Sequence, residues 1–297
     1  MLQSVRVPRT VYGSGATDKA GVGVLGPIVV RPAGPREASP RKANPQETGP
    51  ADAEWRPIVA GRPRALLALL TASLGKVVPV GLILTEVWQG EPPAMRGKAV
   101  AQAVLRLRRL LGDDSGEIVL TRPGGYELGP ARLESDASAV AARVAAGRAA
   151  LVAGDAKTAA NLLADALNRW RGEPYAGVDP VDPAGPVACH RAALIRLQVS
   201  AQEARIDADL ALGRHRDVVD ELAGLAARDP LYEPWWPRLM VALYRSGRRA
   251  DALQAYRRLR TVLVDRLGIE PGHEARRLQQ LILSGDVVTT PCVCCGR

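Results

Sequence analysis

Phenylalanine is absent from this 297-residue chain, and tyrosine and tryptophan bring the aromatic content to only 4%. Without large rings the interior has to be filled by Leu, Val and Ala, which suits closely packed helices better than a large β-sandwich. Cysteine is scarce as well. Cys189 stands alone, and Cys292, Cys294 and Cys295 crowd the C-terminal end, so no disulfide framework is implied and a reducing compartment is expected. The N-terminus has no apolar h-region and no apolar run approaches a membrane span, so a cytoplasmic, nucleoid-associated protein without a membrane partner is expected.

Catalytic signatures are missing too. Ser73–Lys76 (SLGK) lacks the first glycine of a phosphate-binding loop, and neither a G-x-S-x-G nor an H-E-x-x-H motif occurs. His190, His215 and His273 share no metal-ligand spacing and read as surface or helix-end residues. The three terminal cysteines lack a fourth ligand. The sequence therefore predicts no enzyme, no cofactor and no metal.

What the chain does have is positive charge in one place. The net charge is +9, and between Trp55 and Gly112 nine Lys/Arg face two acids, whereas from Ala131 to Gly285 the balance is 22 to 19. A basic cluster confined to the first half points to a polyanionic partner there. The length favours two domains.

The centre of that cluster is Pro93–Gly112, PAMRGKAVAQAVLRLRRLLG. At 100° per residue Val100, Val104, Leu107 and Leu111 form one stripe, predicting a helix with a buried face. Lys98, Gln102 and Arg109 lie opposite with Leu105 beside them, Arg106 and Arg108 flank them, and Arg96 stands at the start. Arg reads guanine edges and clamps phosphate, Gln suits adenine and Lys neutralises phosphate, so this outward face fits a DNA major groove.

Its neighbours agree. Met1–Ala20 reads as disordered, Val22–Val30 as two short strands around Gly26-Pro27, Pro32–Asp52 as a flexible Pro-rich insertion, and Glu54–Val59 as a further strand. A first helix carries Leu66, Leu67, Leu69, Leu70 and Leu74, begins near Pro63 and stops at Gly75. VVPVGLILTEVW predicts a second, with Val80, Leu84, Val87 and Trp88 inward. After the basic helix, EIVLTRPGGYEL predicts a hairpin turning at Arg122-Pro123-Gly124-Gly125. Three helices and a hairpin is the winged helix-turn-helix order. Arg62 and Arg64, beginning the first helix, are phosphate candidates, and Arg122 at the hairpin tip is a phosphate or minor-groove candidate.

From Asp136 onward helix follows helix, and the pattern repeats. Gly213 and Gly247 are 34 residues apart, the tetratricopeptide period. Aligning Gly154, Gly213 and Gly247 brings Ala159, Val218 and Ala252 into one column, then Leu163, Leu222 and Tyr256, then Ala166, Leu225 and Leu259. Pro230 stands where such a repeat ends. The expected fold is mainly α: a winged helix-turn-helix with small β elements over 21–130, containing the insertion at 32–52, then an all-α tetratricopeptide-like domain over 131–286 and a disordered tail at 287–297.

VGVLGP, RALLALL, VLRLRRLLG with TRPGGYEL, ALNRWRGEPYAG and LMVALYRSGRRADALQAYRRLR together resemble the Streptomyces antibiotic regulatory proteins, from about Val22 to Asp286. The resemblance implies an OmpR-like winged-helix domain followed by a bacterial transcriptional activator domain. It implies an activator of a biosynthetic gene cluster that binds direct repeats in double-stranded promoter DNA and touches RNA polymerase, σ region 4 included, with self-association on DNA left open. Larger members add an ATPase module, and this chain ends before one. The rival reading is a tetratricopeptide adaptor whose basic domain binds protein or RNA.

Overall fold

The computed structural model describes residues 19–33, 55–58, 61–89 and 95–285. The chain forms two compact units, Met1–Ala142 with Ala166–Gln198, and Arg143–Asp165 with Val199–Arg297. The stretches read as N-terminal disorder, Pro-rich insertion and cysteine tail lie outside the described residues, apart from their edges. Ala20 is buried in the first strand, and the Ala33 amide donates to the carbonyl of Leu111 at 2.8 Å.

In the first unit, β1 (Ala20–Gly23), β2 (Val29–Arg31) and β3 (Arg56–Pro57) precede α1 (Arg62–Ala72), β4 (Val77–Pro79), α2 (Val80–Trp88) and α3 (Arg96–Leu111). The hairpin β5 (Val119–Arg122) and β6 (Gly125–Leu128) follows, and then β7 (Leu133–Ser135). Two sheets result, ordered β3-β2-β1-β7 and β4-β6-β5. β1 runs antiparallel to β2 but parallel to β7, with Val22 opposite Ser135. The helices close a core of Leu66, Leu67, Leu69, Leu70, Ile83 and Leu107, none of them exposed.

Two expectations need correction here. The segment from Val77 does not enter its helix at once: Val77–Pro79 is a strand paired with β6. The inward face of α2 is consequently Ile83, Glu86, Val87 and Trp88, while Val80 and Leu84 are only half-buried. The third strand is also shorter than Glu54–Val59, and both of those ends lie outside the described residues.

The link from the hairpin into α4 (Asp136–Val152) is held by a buried carboxylate. Asp136 accepts from the Val24 amide at 2.8 and 3.0 Å and from the Leu25 amide at 3.2 Å. Arg171 donates to the same carboxylate at 3.3 Å and to the Pro27 carbonyl at 2.7 Å. Burial pushes the Asp136 carboxyl upward, against the opposing pull of those amides and of Arg171. The turn around Gly26-Pro27 is thereby clamped from a position more than a hundred residues away in sequence.

Residues 168–185 continue the clamp. Tyr175, fully buried with φ 58°, donates its amide to the Val24 carbonyl at 2.9 Å. Its hydroxyl meets His190 Nδ1 at 2.6 Å. His190 lies near the start of α6 (Pro186–Ala211), the helix-end placement of the two expected, and is half-buried there. Arg191 fastens the loop further by donating to the carbonyls of Pro174, Tyr175 and Val178.

In the second unit, α5 (Ala156–Leu167) follows α4, and α6 leads to α7 (Val219–Arg228), α8 (Trp235–Arg245), α9 (Arg249–Leu267) and α10 (His273–Ser284). The three aligned turn glycines share one left-handed conformation, φ 84°, 78° and 81° at Gly154, Gly213 and Gly247. Ala159, Val218, Ala252, Leu163, Leu222 and Leu259 are all buried at 2% exposure or less, so the sequence columns are packing columns. Close approach of α4 and α5 relies on Gly147, where a Cβ would lie 2.7 Å from Leu163. The core of α7–α10 centres on Trp235, Trp236, Leu239, Met240 and Leu259. Arg238, also buried, forks onto Asp207 through two 2.8 Å hydrogen bonds.

Candidate nucleic-acid interface

The basic helix forms for local reasons. RGKAVAQAVLRLRRLL has no proline and no interior glycine beyond its first turn, and Gly112 ends it at φ 66°. Val100, Ala103, Val104, Leu107 and Leu111 face the core, the predicted stripe with Ala103 added. α3 packs on α1 and α2 through this face. Arg96, Lys98, Ala101, Gln102, Leu105, Arg106 and Arg109 are exposed on the other.

No acidic residue occurs in α3, and among the described residues no side chain caps its N-terminus at Met95. The amides of the first turn and their dipole therefore add to the positive charge of Arg96 and Lys98. α1 likewise begins without a side-chain cap, at Gly61.

Three of the candidate arginines are engaged inside the unit. Arg108 donates to the Val119 carbonyl at 2.6 and 3.1 Å and to Thr121 Oγ1 at 3.1 Å. It thus ties α3 to the hairpin. Arg64 lies against the loop after α5, where a Cβ on Gly177 would meet its guanidinium at 3.2 Å. Arg122 pairs with Glu127 across the hairpin at 2.8 Å while staying exposed. Arg62 is exposed, and its guanidinium stands 5.1 Å from the centroid of the Trp88 ring. The structure therefore brings Lys98, Gln102, Arg106 and Arg109 onto one surface with Arg96 at its end, and gives Arg108 a bracing bond network.

Asp113 was missing from the sequence reading. It is buried and accepts from the amides of Ile118 at 3.0 Å and Val119 at 2.8 Å, closing the loop between α3 and β5. Its signal was local: an Asp directly after a helix-ending Gly, in a turn-rich DDSG stretch.

The hairpin itself depends on two glycines for different reasons. Gly124 takes φ 78° as the second residue of a Pro-Gly turn. Gly125 faces β4 so closely that a Cβ would sit 2.2 Å from the Val78 carbonyl oxygen.

A three-helix core with a trailing hairpin, a basic outward third helix and a following stack of helical repeats defines a winged-helix transcription regulator. A family model described as a bacterial transcriptional activator domain matches residues 135–283, and one described as transcriptional regulatory protein, C terminal, matches residues 59–128. The chain belongs to the Streptomyces antibiotic regulatory protein family.

It is 35% identical over 236 residues to the regulatory protein DnrI of Streptomyces peucetius, covering 77% of this chain and 86% of that one. To the regulatory protein AfsR of Streptomyces coelicolor it is 38% identical over 239 residues, 78% of this chain but 23% of AfsR. A solved structure of Mycobacterium tuberculosis EmbR, in complex with a low-affinity phosphopeptide, superimposes with a TM-score of 0.76 at 30% identity. That match covers 91% of this chain and 66% of the EmbR chain. Among the described residues no helix is long and apolar enough to cross a membrane.

Proposed function

We propose that this regulator activates a biosynthetic gene cluster by seating α3 in the major groove of promoter DNA at direct repeats, and by contacting RNA polymerase through its helical repeats. The carrying observation is the outward face of α3: Lys98, Gln102, Arg106 and Arg109 exposed together, with no acid on the helix. Lys98 and Arg96 suit phosphates near the helix start, and Gln102 and Arg109 suit base edges. Arg62 suits a phosphate beside the N-terminus of α1, and Arg122 suits the backbone or minor groove beside the hairpin. Arg64 and Arg108 act by positioning. RNA polymerase, σ region 4 included, is the partner that the family resemblance supplies for the second unit.

The test is footprinting and gel shift on promoters of the neighbouring gene cluster, with salt varied. If four to six phosphates are neutralised, log K falls against log salt with a slope of roughly −4 to −5 per protomer. Arg106→Ala with Arg109→Ala abolishes binding while the melting temperature barely moves. Arg248→Ala and Arg257→Ala, in the second unit, spare DNA binding and lower transcription in vitro. Wild-type affinity in the double mutant would show that α3 is not the reading head.

A further inference from the structure

Leu105 is 48% exposed, and it lies on the polar face of α3. At 100° per residue, Lys98, Gln102, Leu105 and Arg109 all lie within about 40° of the line opposite the buried stripe of α3. Scattered exposed leucines are ordinary on protein surfaces, so exposure alone says nothing. Its address does. Leu105 stands between Gln102 and Arg109 along the helix axis, somewhat to one side of the outward midline but still on the face that meets base edges when a helix lies in a groove.

A leucine there has nothing to offer a hydrogen-bonding base edge. Guanine presents N7 and O6, adenine N7 and an amino group, and cytosine an amino group. Each of these would be stripped of water against an alkyl chain and left unpaired, a net cost. Thymine alone presents an apolar group in the major groove, its C5 methyl. With a rise of about 1.5 Å per residue against about 3.4 Å per base pair, Gln102 and Arg109 reach bases roughly one to two pairs to either side.

We infer that Leu105 is a specificity-determining residue that reads a thymine methyl at the centre of the site, flanked by the bases that Gln102 and Arg109 contact. This rests on the assignment of α3 as the reading helix. It makes the operator sensitive to a group that carries no hydrogen bond and no charge.

The experiment begins by selecting duplexes from a random-sequence DNA pool with the full chain. Each thymine of the selected site is then replaced singly by deoxyuridine, which removes only the methyl. Burial of one methyl corresponds to about 0.8 kcal/mol, so wild-type affinity should fall about fourfold at one position. Leu105→Ala should bind the thymine and uracil duplexes equally, at about the wild-type affinity for the uracil duplex, with an unchanged melting curve. Cytosine in place of that thymine should bind worse than 5-methylcytosine for the wild type, and no differently for Leu105→Ala.

A selected site without thymine at its centre, a flat uracil scan, or full thymine discrimination by Leu105→Ala would each overturn the inference while leaving α3 as the reading head. If no duplex is selected, or if Arg106→Ala with Arg109→Ala binds like the wild type, the assignment of α3 fails and the inference falls with it.

Discussion

Arg108 and Val119 are joined by two hydrogen bonds, the guanidinium of the one reaching the backbone carbonyl of the other at 2.6 and 3.1 Å. That contact fixes the angle between α3 and the hairpin, so the two parts that would straddle a DNA backbone are set before DNA arrives. Asp113 reinforces it from the other side by holding the Ile118 and Val119 amides.

The two neighbouring arginines should therefore separate. Charged hydrogen bonds of this kind are worth about 1.5–3 kcal/mol each to stability, and less where water competes. Arg108→Ala should lower folding stability by about 1–3 kcal/mol and weaken DNA binding through the displaced hairpin. Arg109→Ala should leave stability within about 0.5 kcal/mol, as surface substitutions usually do, and weaken binding alone. Denaturant titration and gel shift on both variants make the comparison, and equal stability of the two would contradict it.

Gly125→Ala should damage the hairpin more than Gly124→Ala. At Gly124 the new methyl meets open space, and the cost is that of an L-residue at positive φ, about 1–2 kcal/mol. At Gly125 it collides with the Val78 carbonyl, so β4 has to leave β6. Amide hydrogen exchange in β4 should rise sharply for Gly125→Ala and little for Gly124→Ala.

Asp136→Ala removes the carboxylate shared by Val24, Leu25 and Arg171, and its side chain is wholly shielded from solvent. Breaking a buried pair from one side typically costs about 3–5 kcal/mol, because the buried Arg171 charge loses its counter-ion and the Val24 and Leu25 amides lose their acceptor. Thermal unfolding should shift downward accordingly. A loss below about 1 kcal/mol would mean that water replaces the carboxylate.

Burial holds the His190 imidazole below its ordinary value of 6.5. The unfolded chain then takes up the proton first. Stability is complete above about pH 6.5 and falls as the pH drops from there through the folded-state value. In the tautomer with the proton on Nε2, protonation also removes the acceptor that Nδ1 offers to the Tyr175 hydroxyl. His190→Gln should flatten melting temperature against pH in that window. His215, lowered by burial and by Arg245, leaves a residual slope that the double variant should remove.

The stripe of α3 and the columns of the helical repeats were legible because period and burial are the same fact seen twice. Val100, Val104, Leu107 and Leu111 recur at helical spacing and all reach the core. The inward face of α2 was legible only at its end, Val87 and Trp88, because Val77–Pro79 pairs as a strand and Glu86 is buried facing a distant loop. Its Oε2 accepts from the Val181 amide at 3.3 Å, a partner 95 residues away. Charge alone could not separate Arg108 from Arg109 either. One side chain reaches a carbonyl of the hairpin and the other does not, and only tertiary structure decides which.

The parallel pairing of β1 with β7 has a consequence for how such proteins can be cut or recombined. The two family models meet between residues 128 and 135, which looks like a natural seam. Yet β7, which falls across the end of that gap, and Asp136, just beyond it, complete the N-terminal sheet and clamp its turn. A fragment severed there would keep every residue of α3 but bare the edge of β1, a template for pairing with another chain. Swapping readers among relatives therefore works best with the graft carried past Asp136, because the boundary written in the sequence runs through the middle of a sheet.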